Sequence, residues 1–542
     1  MKDLLVEFDD LPDEILIYIF KKLYNVEVLY SLMDVNQRLN RIVHDTIFTR
    51  DLYLLEYLPD NKTSSPLSDS ILDQFCSKIL PEIGHRIKTL YLEQTSMKRI
   101  LHTTNYPNLN NLSLFHIDIE TAMALFDDKN PLTHIFKNQI SSLFINFKEV
   151  NDSLPMRTIY STIFEKILTI FTNLQCLKFN PSASYDDAIL FYLIRETAIS
   201  STLLELHVSV LEMRDCLDLL DGRFDQLRVL YVTVDRILPW LEIQHDPKLL
   251  PNLRIFSLCF KRKVYHFDKS IVSLLRRMLN LEELHLNIIV KCNEKFIDSD
   301  TLMKDIIIYM PRLYKFTFNI CSIINHCDQT NFPLNEHIEK TSEYLYNNEI
   351  ITCIDHFQEE GYSQCHIYSY PYKWKVYNNI TNNFRGGLFT SVTQVSLYDE
   401  HPFEREFFLQ IAQSFPFMKE LTIHNRKAQN NKQLIKSNND NQMLSIIEYP
   451  NLTRLDLHCT HNDYVELFLF DRKMTLPNNL HLCVDYQLLK KVTYNFTRYT
   501  TPNNCAKLAT LYFYPVDQID EHIKKYFSHT CICCISDFVL RK

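Results

Sequence analysis

The chain has 542 residues, 46% of them hydrophobic and 12% aromatic, so it can build an ample core and is longer than a single compact domain usually runs. Its formal net charge of −9 argues against a nucleic-acid groove or an anionic membrane surface as the main partner. It has only five glycines, at positions 84, 222, 361, 386 and 387, so neither a GxGxxG nor a GxxxxGK phosphate loop can be drawn, and GxSxG and HExxH are absent too.

The first elements predicted are three short helices between Phe8 and Val43. Asp9 and Asp10 offer side-chain oxygens to a helix start near Leu11, Pro12 suits the first turn, and Asp13 and Glu14 complement the positive helix end. Ile15, Leu16, Ile19, Phe20 and Leu23 then make a wide apolar face, followed by stripes at Val28, Leu29 and Leu32 and at Val35, Leu39, Ile42 and Val43. A unit this small buries only part of such a surface by itself, so the remainder calls for an outside partner.

The amino terminus lacks the basic region and apolar run of a secretory signal, and no stretch approaches the ~18 to 20 apolar residues of a membrane span. The expectation is a soluble chain in the cytoplasm, the nucleus or both, with its 15 cysteines as reduced thiols. Residues 59 to 69, PDNKTSSPLSD, read as a linker.

From Ile71 onward short strands of one form recur, with apolar residues two apart at their ends: IKTLYL from Ile87, LNNLSL from Leu109, ISSLFI from Ile140, LRVLYV from Leu227, LRIFSL from Leu253 and LEELHL from Leu281. The form resumes with VTQVSL from Val392, MKELTI from Met418, LTRLDL from Leu452 and LATLYF from Leu508. Many strands follow a turn such as Tyr106-Pro107-Asn108 or Leu250-Pro251-Asn252, where proline stops a helix and favours extended entry. Helical periodicity lies between them, as at Phe407, Phe408, Ile411, Ala412 and Phe415. Starts at 87 and 109, and at 227, 253 and 281, are spaced in or close to the range of about 20 to 29 residues that marks one class of repeat.

Residues 319 to 391 break the rhythm and crowd Tyr362, Tyr368, Tyr370, Tyr372, Trp374 and Tyr377 together. Two readings stand for them: an aromatic core, or a recognition surface carried by Tyr368, Tyr370, Tyr372 and Trp374. The terminal cluster His529, Cys531, Cys533 and Cys534 lacks a second ligand pair and reads as a strand. No catalytic, cofactor-binding or metal-binding residue is nominated.

Leu11, Pro12, Glu14, Ile15, Leu16, Ile19, Phe20, Leu23, Leu29, Leu32 and Val35 together resemble the F-box family pattern, with Asn36 and Leu39 where many members carry Cys and Trp. The later strands resemble leucine-rich repeats, although Thr95, Ile117, Lys261, Ile289 and Thr460 stand where that family places its Asn ladder and only Cys321 fits. Adhesion between repeats is therefore expected from stacked Leu, Phe and Tyr rather than from amides.

The resemblance implies an α/β chain: a small N-terminal three-helix F-box in residues 1–55, a linker in 56–80, and an irregular leucine-rich-repeat solenoid beyond. The repeats would occupy 81–318, with an aromatic-rich irregular section or insertion in 319–391, and further repeats with a C-terminal cap in 392–542. It implies a non-catalytic, substrate-recognition subunit of an SCF-type ubiquitin ligase. Leu11, Pro12, Ile15, Leu16, Ile19, Phe20, Leu23, Leu29, Leu32, Val35 and Leu39 would dock a Skp-type adaptor joined to a cullin-RING ligase, and the repeats would hold a protein substrate. No cofactor, nucleic acid or membrane is implied. The alternatives are a repeat scaffold without ligase function, a metal-dependent or thiol enzyme, and, for the fold, a doubly wound α/β sheet.

Overall fold

A computed structural model describes residues 11–57, 64–127, 129–148, 157–180, 188–191, 194, 198–237, 251–325, 349–430, 445–498, 504–513 and 521–534. Asp9 and Asp10, expected to cap the first helix, lie outside them. The chain divides into two units, Met1–Ile288 with Met303–Lys315, and Ile289–Leu302 with Phe316–Lys542. No helix among the described residues is long and apolar enough to cross a membrane.

The first unit opens with helices α1 (Asp13–Phe20), α2 (Asn25–Leu32), α3 (Gln37–Val43) and α4 (Thr46–Thr49). Strands follow as β1 (Asp51–Tyr57), β2 (Ser64–Pro66), β3 (Thr89–Glu93), β4 (Asn111–Ile117), β5 (Ser142–Phe147), β6 (Cys176–Asn180) and β7 (Glu205–Glu212). They continue as β8 (Val229–Arg236), β9 (Ile255–Phe260), β10 (Val264–Tyr265) and β11 (Glu283–Cys292), whose first half belongs to this unit. From β1 onward each long strand pairs in parallel with the next in sequence, while β2 closes the near edge antiparallel to β1.

Leucine spacing sets the register. Leu52, Leu90, Leu112, Leu143, Leu177, Leu206, Leu230, Phe256 and Leu284 sit side by side on successive strands, all buried. Strands β5, β8 and β9 alternate strictly between half-exposed and buried over their first six residues, so a single face of the sheet enters the core. Helices between the strands supply the other side of that core, as Met97, Ile100 and Leu101 do from Gln94–Thr103 and Tyr160, Ile163, Phe164 and Ile167 from Arg157–Ile170. A doubly wound sheet would reverse its strand order and bury both faces; this one does neither.

Residues 64–83, most of which fall within the linker expected at 56–80, carry regular structure. After β2 the helix Asp69–Gln74 and the turns through Ile83 bury Leu72, Phe75, Ile79 and Leu80, an apolar stripe that the polar run before it obscures.

The second unit contains β12 (Lys315–Asn325), β13 (Glu349–Phe357) and β14 (Tyr362–Tyr370), in which β14 lies between the other two and pairs antiparallel with both. Strands β15 (Val376–Ile380), β16 (Gln394–Tyr398), β17 (Glu420–Asn425), β18 (Ile447–Glu448), β19 (Arg454–Thr460), β20 (Met474–Thr475), β21 (Leu480–Cys483), β22 (Leu508–Phe513) and β23 (Cys531–Cys534) follow. A second parallel sheet runs β15-β16-β17-β19-β21-β22-β23, again in chain order, with Val395, Leu421, Leu455, Leu482 and Leu511 aligned on the buried face.

An amide ladder is present, at a place the strand pattern does not indicate. In the turns before strands, asparagine side chains donate to carbonyls of the preceding turn: Asn108 to His85 at 2.6 Å, Asn173 to Asn138 at 2.7 Å, Asn252 to Asp225 at 2.9 Å and Asn280 to Pro251 at 3.1 Å. Asn451 does the same to Pro416 at 2.9 Å in the second unit. The expectation that apolar stacking alone joins the repeats is corrected: these turn amides satisfy backbone carbonyls from one strand unit to the next.

Candidate functional site

The N-terminal helices are held by short-range polar contacts as much as by their core. Pro12 precedes α1 and its carbonyl accepts from the N–H groups of Ile15 and Leu16 at 3.0 and 3.1 Å. Asp13 ties α1 to α3 through Arg38 Nε and Arg41 at 2.7 Å each, and Arg38 also donates to the Leu11 carbonyl. The hydrogen bond from the Arg38 guanidinium holds the Asp13 carboxyl below its usual range. Asn36, the departure from Cys, caps α3: its Oδ1 accepts from the Leu39 N–H at 2.8 Å. Asn25 Nδ2 donates to the Asp51 carbonyl at 3.0 Å, joining α2 to the start of β1.

This frame splits the apolar residues into two sets. Leu16, Phe20, Leu29 and Leu39 are buried with Val28, Val43 and Phe48, and the Phe20 and Phe48 rings meet edge to face at 6.3 Å. Pro12, Ile15, Ile19, Leu23 and Val35 are exposed, and Leu11 and Leu32 are half-buried. Ile15 is 45%, Ile19 37%, Leu23 49% and Val35 60% exposed, high values for aliphatic side chains concentrated in one small unit. Ile15 and Ile19, four residues apart, share one side of α1 beside the inward stripe of Leu16 and Phe20, while Pro12 caps the start of the helix and Leu23 stands in the turn just past its end. Of the residues the sequence nominates, Pro12, Ile15, Ile19, Leu23 and Val35 face outward and Leu16, Phe20, Leu29 and Leu39 face inward.

The aromatic section is corrected as a recognition surface. Tyr368 is 1% and Tyr372 3% exposed, packed in a core with Tyr377, Phe384 and Phe389. Their rings meet at 5.3 Å for Tyr368 with Tyr372 and 5.6 Å for Tyr368 with Tyr377. Tyr370 and Trp374 are half-buried against the same cluster, and Tyr370 donates its hydroxyl to the Leu388 carbonyl at 3.2 Å. Tyrosine is large enough to form a core where its hydroxyl finds a partner, as Tyr372 does on the Val376 carbonyl at 2.8 Å.

A second surface emerges from the residues between the buried leucines, which the sequence reading passed over. On the half-exposed face of the first unit's sheet, Tyr53 stacks on Tyr91 at 3.8 Å and Phe115 lies 5.1 Å from Phe144. Farther along, His207 stacks on Tyr231 at 4.3 Å, and Glu205 pairs with His207 at 2.6 Å and Lys178 at 3.1 Å. Glu283 accepts from the Tyr314 hydroxyl at 3.0 Å and pairs with Lys315. Aromatic faces flanked by charges of both signs suit a protein surface better than a small apolar ligand. The signal was available as the x in each φ-x-φ strand end: Tyr91, Phe144, Lys178, His207, Tyr231 and His285.

The terminal cysteine cluster forms β23, paired in parallel with β22. Cys531 and Cys533 share a face, with sulfurs 3.7 Å apart, and Cys531 is exposed. No disulfide joins cysteines among the described residues.

Comparison with known families matches residues 8–55 to the F-box-like model. No curated protein matches the chain.

Proposed function

We propose that this chain is the substrate-recognition subunit of an SCF-type ubiquitin ligase, working in the cytoplasm, the nucleus or both. The observation that carries the reading is the exposed apolar stripe Pro12, Ile15, Ile19 and Leu23 inside the F-box-like segment, on a unit whose own core is already closed by Leu16, Phe20 and Phe48. F-box proteins are typically non-catalytic adaptor subunits. In this reading the stripe docks a Skp-type adaptor and through it a cullin-RING ligase. The parallel strands with their aligned leucines act as an irregular leucine-rich-repeat solenoid, and the aromatic face with Tyr91, Phe144, His207 and Tyr231 holds a protein substrate. The chain then supplies no bond chemistry. It raises the local concentration of substrate lysines near a charged ubiquitin carrier.

The test is adaptor capture by the full chain against Leu11→Ala with Pro12→Ala. Loss of a hot spot of about 2 kcal/mol or more abolishes capture. Undiminished capture by the folded double variant overturns the reading.

One observation favours a repeat scaffold without a ligase: β1 follows α4 directly and lies in the sheet, with Leu52 and Leu54 beside Leu90 and Leu92. Under that reading the helices are only an end cap, and the exposed stripe binds no adaptor.

A further inference from the structure

The second unit carries a cluster of side chains that the proposed function does not use. Strands β17 and β19 pair in parallel with Thr422 opposite Asp456, but after a register shift His424 stands opposite Cys459. Two residues on β17 thus span three on β19, a bulge of one extra residue. Its effect is to turn Cys459 to the side that Asp456 and His424 share, although alternation alone would place Asp456 and Cys459 on opposite faces. Leu421, Ile423, Leu455 and Leu457 remain buried on the far side.

The side-chain donors of His424, His458 and Cys459 all lie within 4.8 Å of one another. The two imidazole rings are 5.5 Å apart and nearly perpendicular. His424 is exposed, while His458 and Cys459 are half-buried, so an ion can enter from solvent. His458 Nδ1 is 2.6 Å from Asp456 Oδ1, which also accepts from the His458 N–H at 3.1 Å. A carboxylate bound to one ring nitrogen fixes the orientation of the imidazole and assigns the other nitrogen to a metal, the arrangement that supports metal-bound histidines. Asp456 and Cys483, partners across β19 and β21, close the cluster from beneath.

We propose that His424, His458 and Cys459 bind one Zn²⁺-class ion, with Asp456 positioning His458 from behind. Two imidazoles and a thiolate are a borderline-soft set that matches Zn²⁺, and three protein ligands leave the fourth tetrahedral position to water or to a ligand from a partner. Because the ligands come from two strands, the ion braces β17 against β19 across the bulge.

The experiment uses the full chain, stripped with chelator and titrated with Zn²⁺ alone, and separately with Co²⁺ as a spectroscopic stand-in. Expected are one retained Zn²⁺ per chain, a higher melting temperature with zinc, and a thiolate-to-cobalt charge-transfer band that Cys459→Ser abolishes. His424→Ala, at an exposed position where folding is not at stake, weakens binding, and Asp456→Asn lowers affinity about 10- to 100-fold. Cys531→Ser leaves all of this unchanged. No retained zinc overturns the proposal, as does native affinity in His424→Ala, or a cobalt band that survives Cys459→Ser but is lost in Cys531→Ser.

Discussion

Replacing Ile15 on α1 and Leu23 in the turn after it together by alanine separates the docking role of this segment from its structural role. Both side chains leave close to half of their surface in solvent, at 45% and 49%, so the folded unit loses little when they are shortened. Fully burying an aliphatic side chain is worth ~1.5–3 kcal/mol, so covering the exposed half of each on a partner contributes about 1 kcal/mol apiece. The pair therefore costs roughly 2 kcal/mol of adaptor affinity, or about 30-fold in Kd. Phe20→Ala is the counterpart: the ring is 2% exposed and packs on Phe48, so its loss costs about 3–5 kcal/mol of stability. Calorimetric titration of full-length chain with purified adaptor reads the first effect, and thermal denaturation reads the second. A double variant that binds like the native chain, or that melts as early as Phe20→Ala, refutes the division of α1 into an outward and an inward stripe.

The turn ladder predicts that Asn252→Ala and Asn280→Ala each lose about 0.5–1.5 kcal/mol in chemical denaturation of the first unit, since each removes one side-chain bond to a neighbouring carbonyl; unchanged midpoints contradict it. A pH effect follows from His366, whose burial pushes it down to about 4 and whose Nε2 lies 2.5 Å from Asn319 Oδ1. The neutral ring's contribution is complete above the unfolded value of 6.5 and is lost as pH falls toward about 4. The second unit should weaken across that window by roughly 3 kcal/mol, with the slope flattened in His366→Gln; equal slopes in both proteins refute the assignment. Substitution of Tyr231 by alanine, on the half-exposed face, should leave adaptor affinity unchanged and reduce recovery of substrate proteins on the full chain; retained recovery excludes that face.

Much of this architecture is legible in the sequence because its strands repeat one spacing. Leucines two apart, as at Leu90 and Leu92 or Leu284 and Leu286, mark the buried face directly, and the in-order parallel sheet follows from their number. The division of α1 is not legible: Ile15 with Ile19 and Leu16 with Phe20 are both apolar pairs at four-residue spacing, and only the position of Phe48 decides which pair turns inward. The aromatic section reads from sequence as either core or surface because tyrosine suits both, and the core arrangement found depends on carbonyl partners such as Val376 that spacing does not reveal. The Pro-Asn turns are visible, but reading proline as a helix stop hides the neighbouring asparagine's bond to the previous turn. The His424, His458 and Cys459 cluster depends on a one-residue bulge in β19, which no periodicity announces.

On the proposal above, the N-terminal helices present a docking face for an adaptor. The most direct test is to mix the purified full-length chain with a purified Skp-type adaptor at micromolar concentration and measure the mass of the eluted species by light scattering. One adaptor per chain is expected in a stable complex, which Ile15→Ala with Leu23→Ala weakens about 30-fold in Kd. Separate elution of the native chain and the adaptor contradicts it.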